Sequence, residues 1–259
     1  MRLENKVIIV TGGYTGIGNA IVRACLREGA RLVVNGLREE KAKQLINELG
    51  TENLVVHTQD VTEETAPEQL VKVAIDTFDK VDAVVNNAAI IKPSDIATTD
   101  MDFLKRMLAV NTLAPFAIIQ TALPHLEKTK GCVLNIGSIN AWSGEPSLLA
   151  YSISKGALMT MSRNLGDALF RENGVRVNQI NPGWVLTENE LANQKAAGKQ
   201  EGWHKELPEL FSPANRLLKP EEIAAAAVFL LSDECGPVSA QVIELEQYPM
   251  IGRNITKAW

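Results

Sequence analysis

Tyr151 and Lys155 lie four residues apart in the run Ala150-Tyr151-Ser152-Ile153-Ser154-Lys155-Gly156-Ala157. That spacing puts a phenol and an ammonium on one helical face, where they form a candidate acid/base pair. An unperturbed tyrosine titrates at about 10, so service as a base near neutral pH needs roughly 3 to 4 kcal/mol of phenolate stabilisation. One ammonium about 4 Å away in an effective dielectric of about 20 supplies on the order of 4 kcal/mol. Lys155 is therefore expected to lower the Tyr151 pKa largely alone. Tyr-x-x-x-Lys also arises by chance in helices. Ser138, thirteen residues upstream at the end of an apolar run, makes the pair more specific, because strand ends in open α/β sheets face the ligand crevice.

The elements that must carry these groups are legible as alternation. Short β-branched or apolar runs recur at Val7-Ile8-Ile9-Val10, Leu32-Val33-Val34, Leu54-Val55-Val56, Ala83-Val84-Val85, Cys132 to Ile136, Val175 to Ile180 and Val242 to Leu245. Helix-length mixtures separate them, among them Asn19 to Glu28, Glu39 to Leu49, Pro67 to Phe78, Met101 to Leu126 and Ala150 to Phe170. Seven strands alternating with helices predict a doubly wound α/β fold around a parallel sheet. No Pro/Gly/Ser linker divides the chain, so one domain over 1–259 is expected. The least regular stretch, Pro182 to Pro220, carries Trp184, Trp203 and His204. It reads as a lid or substrate segment at about 184–219.

Composition excludes other classes. With 46% hydrophobic and 22% charged residues and a net charge of -5, the chain reads as an ordinary globular protein without the basic excess that a nucleic-acid partner needs. No apolar run in the sequence reaches membrane-spanning length, and the short apolar run after Lys6 does not read as a signal peptide. Cys25, Cys132 and Cys235 have neither metal-ligand spacing nor an even count, which suits a reducing, cytoplasmic setting. No His/Cys or carboxylate cluster points to a metal.

Thr11-Gly12-Gly13-Tyr14-Thr15-Gly16-Ile17-Gly18 joins the first strand to a helix. Glycines there allow a tight turn and close approach to a pyrophosphate, which the helix N-terminus attracts. The spacing is G-x-x-x-G-x-G rather than G-x-G-x-x-G, and no Gly-Lys-Ser/Thr follows, which disfavours a P-loop.

This turn, with Asn86-Asn87-Ala88-Ala89, Asn111, Ser138, Tyr151-x-x-x-Lys155 and Asn181-Pro182-Gly183, resembles the short-chain dehydrogenase/reductase family, in order from residue 6 to about 245. The resemblance implies a Rossmann-like NAD(P)-binding fold with Gly12, Thr15, Gly16 and Gly18 at the cofactor phosphates and Ile17 packed beside them. It implies Asp60 and Val61 at the adenine, Asn87 and Ala88 at the adenine ribose, and Pro182, Gly183, Val185 and Thr187 around the nicotinamide. Lys155 would also bind the nicotinamide ribose, and Asn111 would hold a water that passes protons to bulk. Tyr151 would exchange a proton with the substrate oxygen while hydride moves to or from nicotinamide C4, and Ser138 would polarise that oxygen. Ala89 stands where the family usually has glycine.

The end of the second strand decides between NAD and NADP, since an acid accepts from the ribose 2′-hydroxyl and an arginine pairs with a 2′-phosphate. Here Val34-Asn35-Gly36-Leu37-Arg38 offers glycine at the acid's place, leucine at the usual arginine's, and Arg38 one residue on. The turn leans slightly to NAD by likeness to NAD-using relatives, with NADP left open.

Loops after Ser138 and Asn181 should meet the substrate. They offer Asn140, Trp142, Glu145, Trp184 and Glu188, a polar and aromatic set that suits a sugar or polyol. A non-sugar ketone such as a 3-oxoacyl or steroid-like substrate is the alternative. A non-catalytic dinucleotide-sensing regulator would have no use for Asn111, Ser138, Tyr151 and Lys155 together. Extended epimerase or dehydratase relatives carry a different glycine spacing. Ser239 to Tyr248 departs from the family's glycine pairs, and the resemblance implies a homo-oligomer, tetramer favoured, with the tail 249–259 lying across a neighbouring subunit or frayed.

Overall fold

A computed structural model describes residues 1–248; the tail 249–259 lies outside the described residues. Each β-branched run forms a strand: β1 Val7–Val10, β2 Arg31–Gly36, β3 Leu54–Thr58, β4 Ala83–Asn86, β5 Cys132–Ile136, β6 Arg176–Pro182 and β7 Val242–Leu245. They form one sheet in the order β3-β2-β1-β4-β5-β6-β7, every pair parallel. Strand order reverses between β1 and β4, and a ligand crevice opens beyond the carboxyl ends at such a switch point.

Alternate strand residues feed two cores, because successive side chains point to opposite faces. Ile8, Val10, Leu32, Val34, Leu134 and Ile180 pack under α1 (Gly16–Arg27) and α9 (Pro220–Leu231). Val7, Ile9, Val33, Val84, Val133 and Val177 pack on the other face under α3 (Ala66–Phe78), α5 (Ala114–Thr129) and α7 (Leu149–Asn173). The helix α2 (Glu39–Leu49) covers the outer strands.

Three expectations change. The segment expected as one helix from Met101 to Leu126 is α4 (Met101–Leu108), a π-helical turn over Ala109–Leu113, and α5. Pro115 stands four residues after Asn111 and has no N–H for the Asn111 carbonyl, a sufficient cause for the widened turn. Taken together, Met101–Thr129 is long and apolar enough to cross a membrane by composition, contrary to the sequence expectation; half of its apolar window is buried in this fold. The segment read as irregular contains α8 (Glu188–Ala196) and a 3₁₀ turn over Trp203–Lys205. Thr187 caps α8 by accepting from Glu190 N.

Candidate active site

The sheet's carboxyl edge forms one side of a cleft of about 920 Å³. It runs from Asp60 and Arg38 at one end, past Gly12, Thr15, Gly16 and Ile17, to Ser138, Tyr151, Lys155 and Trp184 at the other. Val61, Asn87, Ala88, Asn140, Pro182, Gly183, Val185 and Thr187 also line it.

The glycine turn suits a phosphate group. Gly12 and Gly16 take φ of +62° and +56°, which side chains resist. A Cβ on Gly18 would stand 2.3 Å from the Gly12 carbonyl oxygen, so Gly18 lets α1 begin directly against the turn rather than in the cleft. Thr15 makes no capping bond and the first turn of α1 carries no acid, so no negative side chain of that turn competes for its N–H groups. Asn87 braces the turn from β4, its Nδ2 donating to the carbonyls of Thr11 at 3.1 Å and Gly12 at 2.9 Å. This buttressing was not legible as a ribose contact.

At the Arg38 end of the cleft, Asp60 accepts from Thr62 N at 2.9 Å and from Arg106 Nη2 at 2.7 Å. Burial pushes its carboxyl up, but the Thr62 and Arg106 bonds prevail and hold it below the usual range. Arg106, on α4, went unnoticed in the sequence because no spacing links it to Asp60. Arg38 lines the cleft with its guanidinium 3.9 Å from Glu40.

The helix α7 carries Tyr151 and Lys155 inward together, both buried. Lys155 Nζ donates to the Ile136 carbonyl at 2.7 Å and sits 5.8 Å from the Tyr151 ring centre. The Tyr151 pKa moves opposite to expectation, and that of Lys155 moves as well. Burial pushes the Tyr151 phenol up to about 12; a bond with Ser138 opposes this and the Glu145 charge adds to it. Burial alone brings the Lys155 ammonium down to about 7. Desolvation outweighs the attraction between the two groups, because both are sunk this far from water. Among the protein's own groups, Tyr151 is a neutral phenol and a proton donor.

Ser138 is held from behind. Its N–H donates to Asn181 Oδ1 at 3.1 Å, which also receives Gln179 Nε2 at 2.7 Å. Gln179 Oε1 accepts from Ser162 Oγ, which accepts from Asn135 Nδ2, whose Oδ1 accepts from Asn86 Nδ2. This buried chain of amides crosses β4, β5 and β6. A Cβ on Gly137 would stand 2.1 Å from Asn181 Oδ1, so glycine there admits the chain to the β5 end that carries both Ser138 and the Lys155 acceptor. Among these amides Asn86 and Asn181 drew notice from sequence, each as part of a motif; Asn135 and Gln179 did not.

Two expected residues are placed elsewhere. Asn111 is fully buried behind the cleft. Its Oδ1 accepts from Ile90 N at 2.9 Å and its Nδ2 donates to Ile90 O at 3.0 Å and Ser154 Oγ at 2.9 Å, so its side chain braces α7 and the β4 loop. Trp142, expected at the substrate, is 51% exposed with the Arg163 guanidinium 4.9 Å from its ring. It shares the single turn α6 (Asn140–Ser143) with Asn140, and residues two apart on a helix face different ways. Trp184 does line the cleft; its Nε1 donates to Glu190 at 2.7 Å and its ring lies 5.3 Å from that of Trp203. His204 packs edge-on against Trp203.

Comparison with known proteins agrees with this geometry. A family model described as enoyl-(acyl carrier protein) reductase matches residues 12–246. L-fucose dehydrogenase of Mus musculus is 38% identical over 238 residues, covering 90% of this chain and 84% of that one. A 3-beta-hydroxysteroid dehydrogenase of Comamonas testosteroni is 32% identical over 248 residues, 95% of this chain and 96% of its own. L-Sorbose reductase from Gluconobacter frateurii, solved with NADPH and L-sorbose, superposes with a TM-score of 0.87 at 25% identity, covering 95% of this chain and 97% of that one.

Proposed function

The chain belongs to the short-chain dehydrogenase/reductase family, and on that premise we propose that it oxidises or reduces a sugar or polyol with Tyr151 as the proton-transferring group. It is an NAD(P)-dependent oxidoreductase that moves a hydride between nicotinamide and a secondary alcohol or ketone. The observation that carries the sugar reading is the polar make-up of the cleft, which Asn140, Glu145, Trp184, Glu190 and Asn193 line together with Ser138 and Tyr151. Two of the similar proteins carry sugars in their names. A steroid or 3-oxoacyl chain would strip water from these polar groups and offer them no hydrogen bond in exchange.

When bound, NAD(P) supplies the hydride acceptor or donor. The glycine turn and the first N–H groups of α1 hold its phosphates, Asp60 and Val61 its adenine, and Lys155 its nicotinamide-side ribose. Gly183, Val185 and Thr187 flank the nicotinamide from the β6 side. Ser138 orients the substrate oxygen. Tyr151 gives that oxygen a proton during ketone reduction; in alcohol oxidation the phenol first releases its own proton toward bulk water and, as the phenolate, takes the alcohol's. Asn111 positions α7, and its main-chain carbonyl, relieved of an α-helical partner by Pro115, is the atom suited to a proton-carrying water. NAD is the preferred cofactor by a small margin: Leu37 stands where an arginine would pair with a 2′-phosphate, and the Arg38 charge is partly met by Glu40.

The segment 184–219 acts as the lid. We place the protein in the cytoplasm, where the buried free thiols of Cys25, Cys132 and Cys235 stay reduced, and as a homotetramer. The deciding experiment follows nicotinamide absorbance with NAD and NADP against sugars, polyols, 3-oxoacyl thioesters and steroids. Turnover confined to the last two classes refutes the sugar reading, and tight cofactor binding without any turnover refutes catalysis.

A further inference from the structure

Glu145 has a carboxylate in the cleft with Ser138, Tyr151 and Trp184, and the mechanism above gives it no task. It is firmly placed. Its N–H donates to Ser152 Oγ at 3.2 Å, one residue after Tyr151 on α7. Its Oε2 receives Asn140 Nδ2 at 3.4 Å and its Oε1 receives Ser147 Oγ at 3.2 Å. Asn140 in turn gives its N–H to Ser138 Oγ at 3.1 Å. The oxygen that holds the reacting group and the Glu145 carboxylate are thus connected through one residue.

An ionised carboxylate has about four acceptor sites, and the two long bonds from neutral donors use two. The ion pairs of the described residues are all made by other acids. Glu145 therefore keeps acceptor capacity beside the reacting oxygen. The charge that acts on Tyr151 here is that of the Glu145 carboxylate, so the position beside the reacting oxygen disfavours an anion.

We propose that Glu145 is a second anchor for the substrate, accepting a hydrogen bond from a hydroxyl on the carbon next to the reacting one, so that the enzyme selects neutral vicinal diols and 2-hydroxyketones and rejects anions. This rests on the hydride-transfer reading above and narrows its substrate class. A hydroxyl paired to a carboxylate is read strongly, because the analogue lacking it leaves the acceptor unmet. An ammonium would satisfy the same oxygens, and a carboxylate on the substrate would be repelled by them.

The test uses the whole enzyme with cofactor and four probes: cyclohexanol, 1,2-cyclohexanediol, 2-aminocyclohexanol and 2-hydroxycyclohexanecarboxylate. The expected wild-type result is a kcat/KM for the diol on the order of tenfold to a hundredfold above cyclohexanol, with the carboxylate slowest. The diol-to-cyclohexanol ratio should fall toward one in Glu145→Ala and to an intermediate value in Glu145→Gln, and the carboxylate should gain on cyclohexanol in Glu145→Gln. Ratios measured on one protein cancel losses of active enzyme, and Glu145→Gln serves if the alanine variant does not fold. A wild-type ratio near one, or the same ratio in both variants, overturns the anchor while Tyr151-dependent turnover of cyclohexanol keeps the parent reading. A preference for the amino alcohol over the diol overturns the neutral class in favour of a cationic one. If wild type turns over none of these probes and no sugar or polyol either, the parent reading falls and the anchor with it.

Discussion

The Tyr14 ring lies flat in the space a side chain at position 36 would need: a Cβ on Gly36 would stand 2.1 Å from Tyr14 Cδ2. Tyr14 belongs to the glycine turn and its hydroxyl meets Thr58 Oγ1 at 3.2 Å. A residue of the glycine turn thus occupies the space that an acid at the end of β2 would need. Gly36→Asp should lower affinity for both cofactors and reduce stability by about 1 to 3 kcal/mol, the usual cost of overpacking. Tyr14→Ala with Gly36→Asp should recover stability and bind NAD over NADP by more than tenfold, checked by fluorescence titration with each cofactor. Equal binding of the two by the double variant contradicts this.

Tyr151→Phe should cut kcat by about 10² to 10⁴, the range for losing a general acid/base, with the Kd for NADH within about threefold. Wild-type turnover by this variant rules out the proton assignment.

Lys155 gives a pH signature to the cofactor-free protein. Its folded pKa of about 7 lies below the ordinary value of 10.5, so between those values the unfolded chain binds the extra proton. Stability then rises with pH across that window. Tyr151, raised from 10.0 to about 12, acts in reverse: above pH 10 the unfolded phenol ionises first, and stability falls. Urea midpoints at pH 7 and pH 9.5 should differ in wild type and differ less in Lys155→Met. An equal rise in the variant assigns the effect to other groups.

Asn181→Ala strips the acceptor from two buried donors, Ser138 N and Gln179 Nε2, at about 1 to 3 kcal/mol for each group left unsatisfied. The expected enzyme has a lowered melting temperature and a kcat that falls more than cofactor affinity. Asn181→Asp, which keeps an acceptor oxygen, should restore part of kcat. A loss of stability with kcat intact shows that the amide chain is structural only.

Arg106→Ala frees Asp60 from its ion pair and should weaken binding of NADH while leaving binding of nicotinamide mononucleotide unchanged, as measured by calorimetry. The same loss for both ligands places the effect away from the adenine end.

What the chain determines by itself is local and periodic. Continuous β-branched runs such as Val7-Ile8-Ile9-Val10 specify strands buried on both faces, their alternation with helices specifies the layered fold, and Tyr151 and Lys155 share a face because an α-helix repeats every 3.6 residues. The ordered set from the glycine turn to Asn181 identifies the family for a related reason: most of its members sit at strand ends or helix starts whose places the alternation already marks, Asn111 inside a helical run being the exception. Contacts between distant elements were decided only by packing. The direction of Trp142, the burial of Asn111, the reach of Arg106 to Asp60, the stacking of Tyr14 on Gly36 and the amides meeting across β4, β5 and β6 all depend on how parallel strands register and how helices settle on them. The pKa values of Tyr151 and Lys155 belong with these, since spacing fixes the distance between two charges but only the folded interior decides how much water they lose.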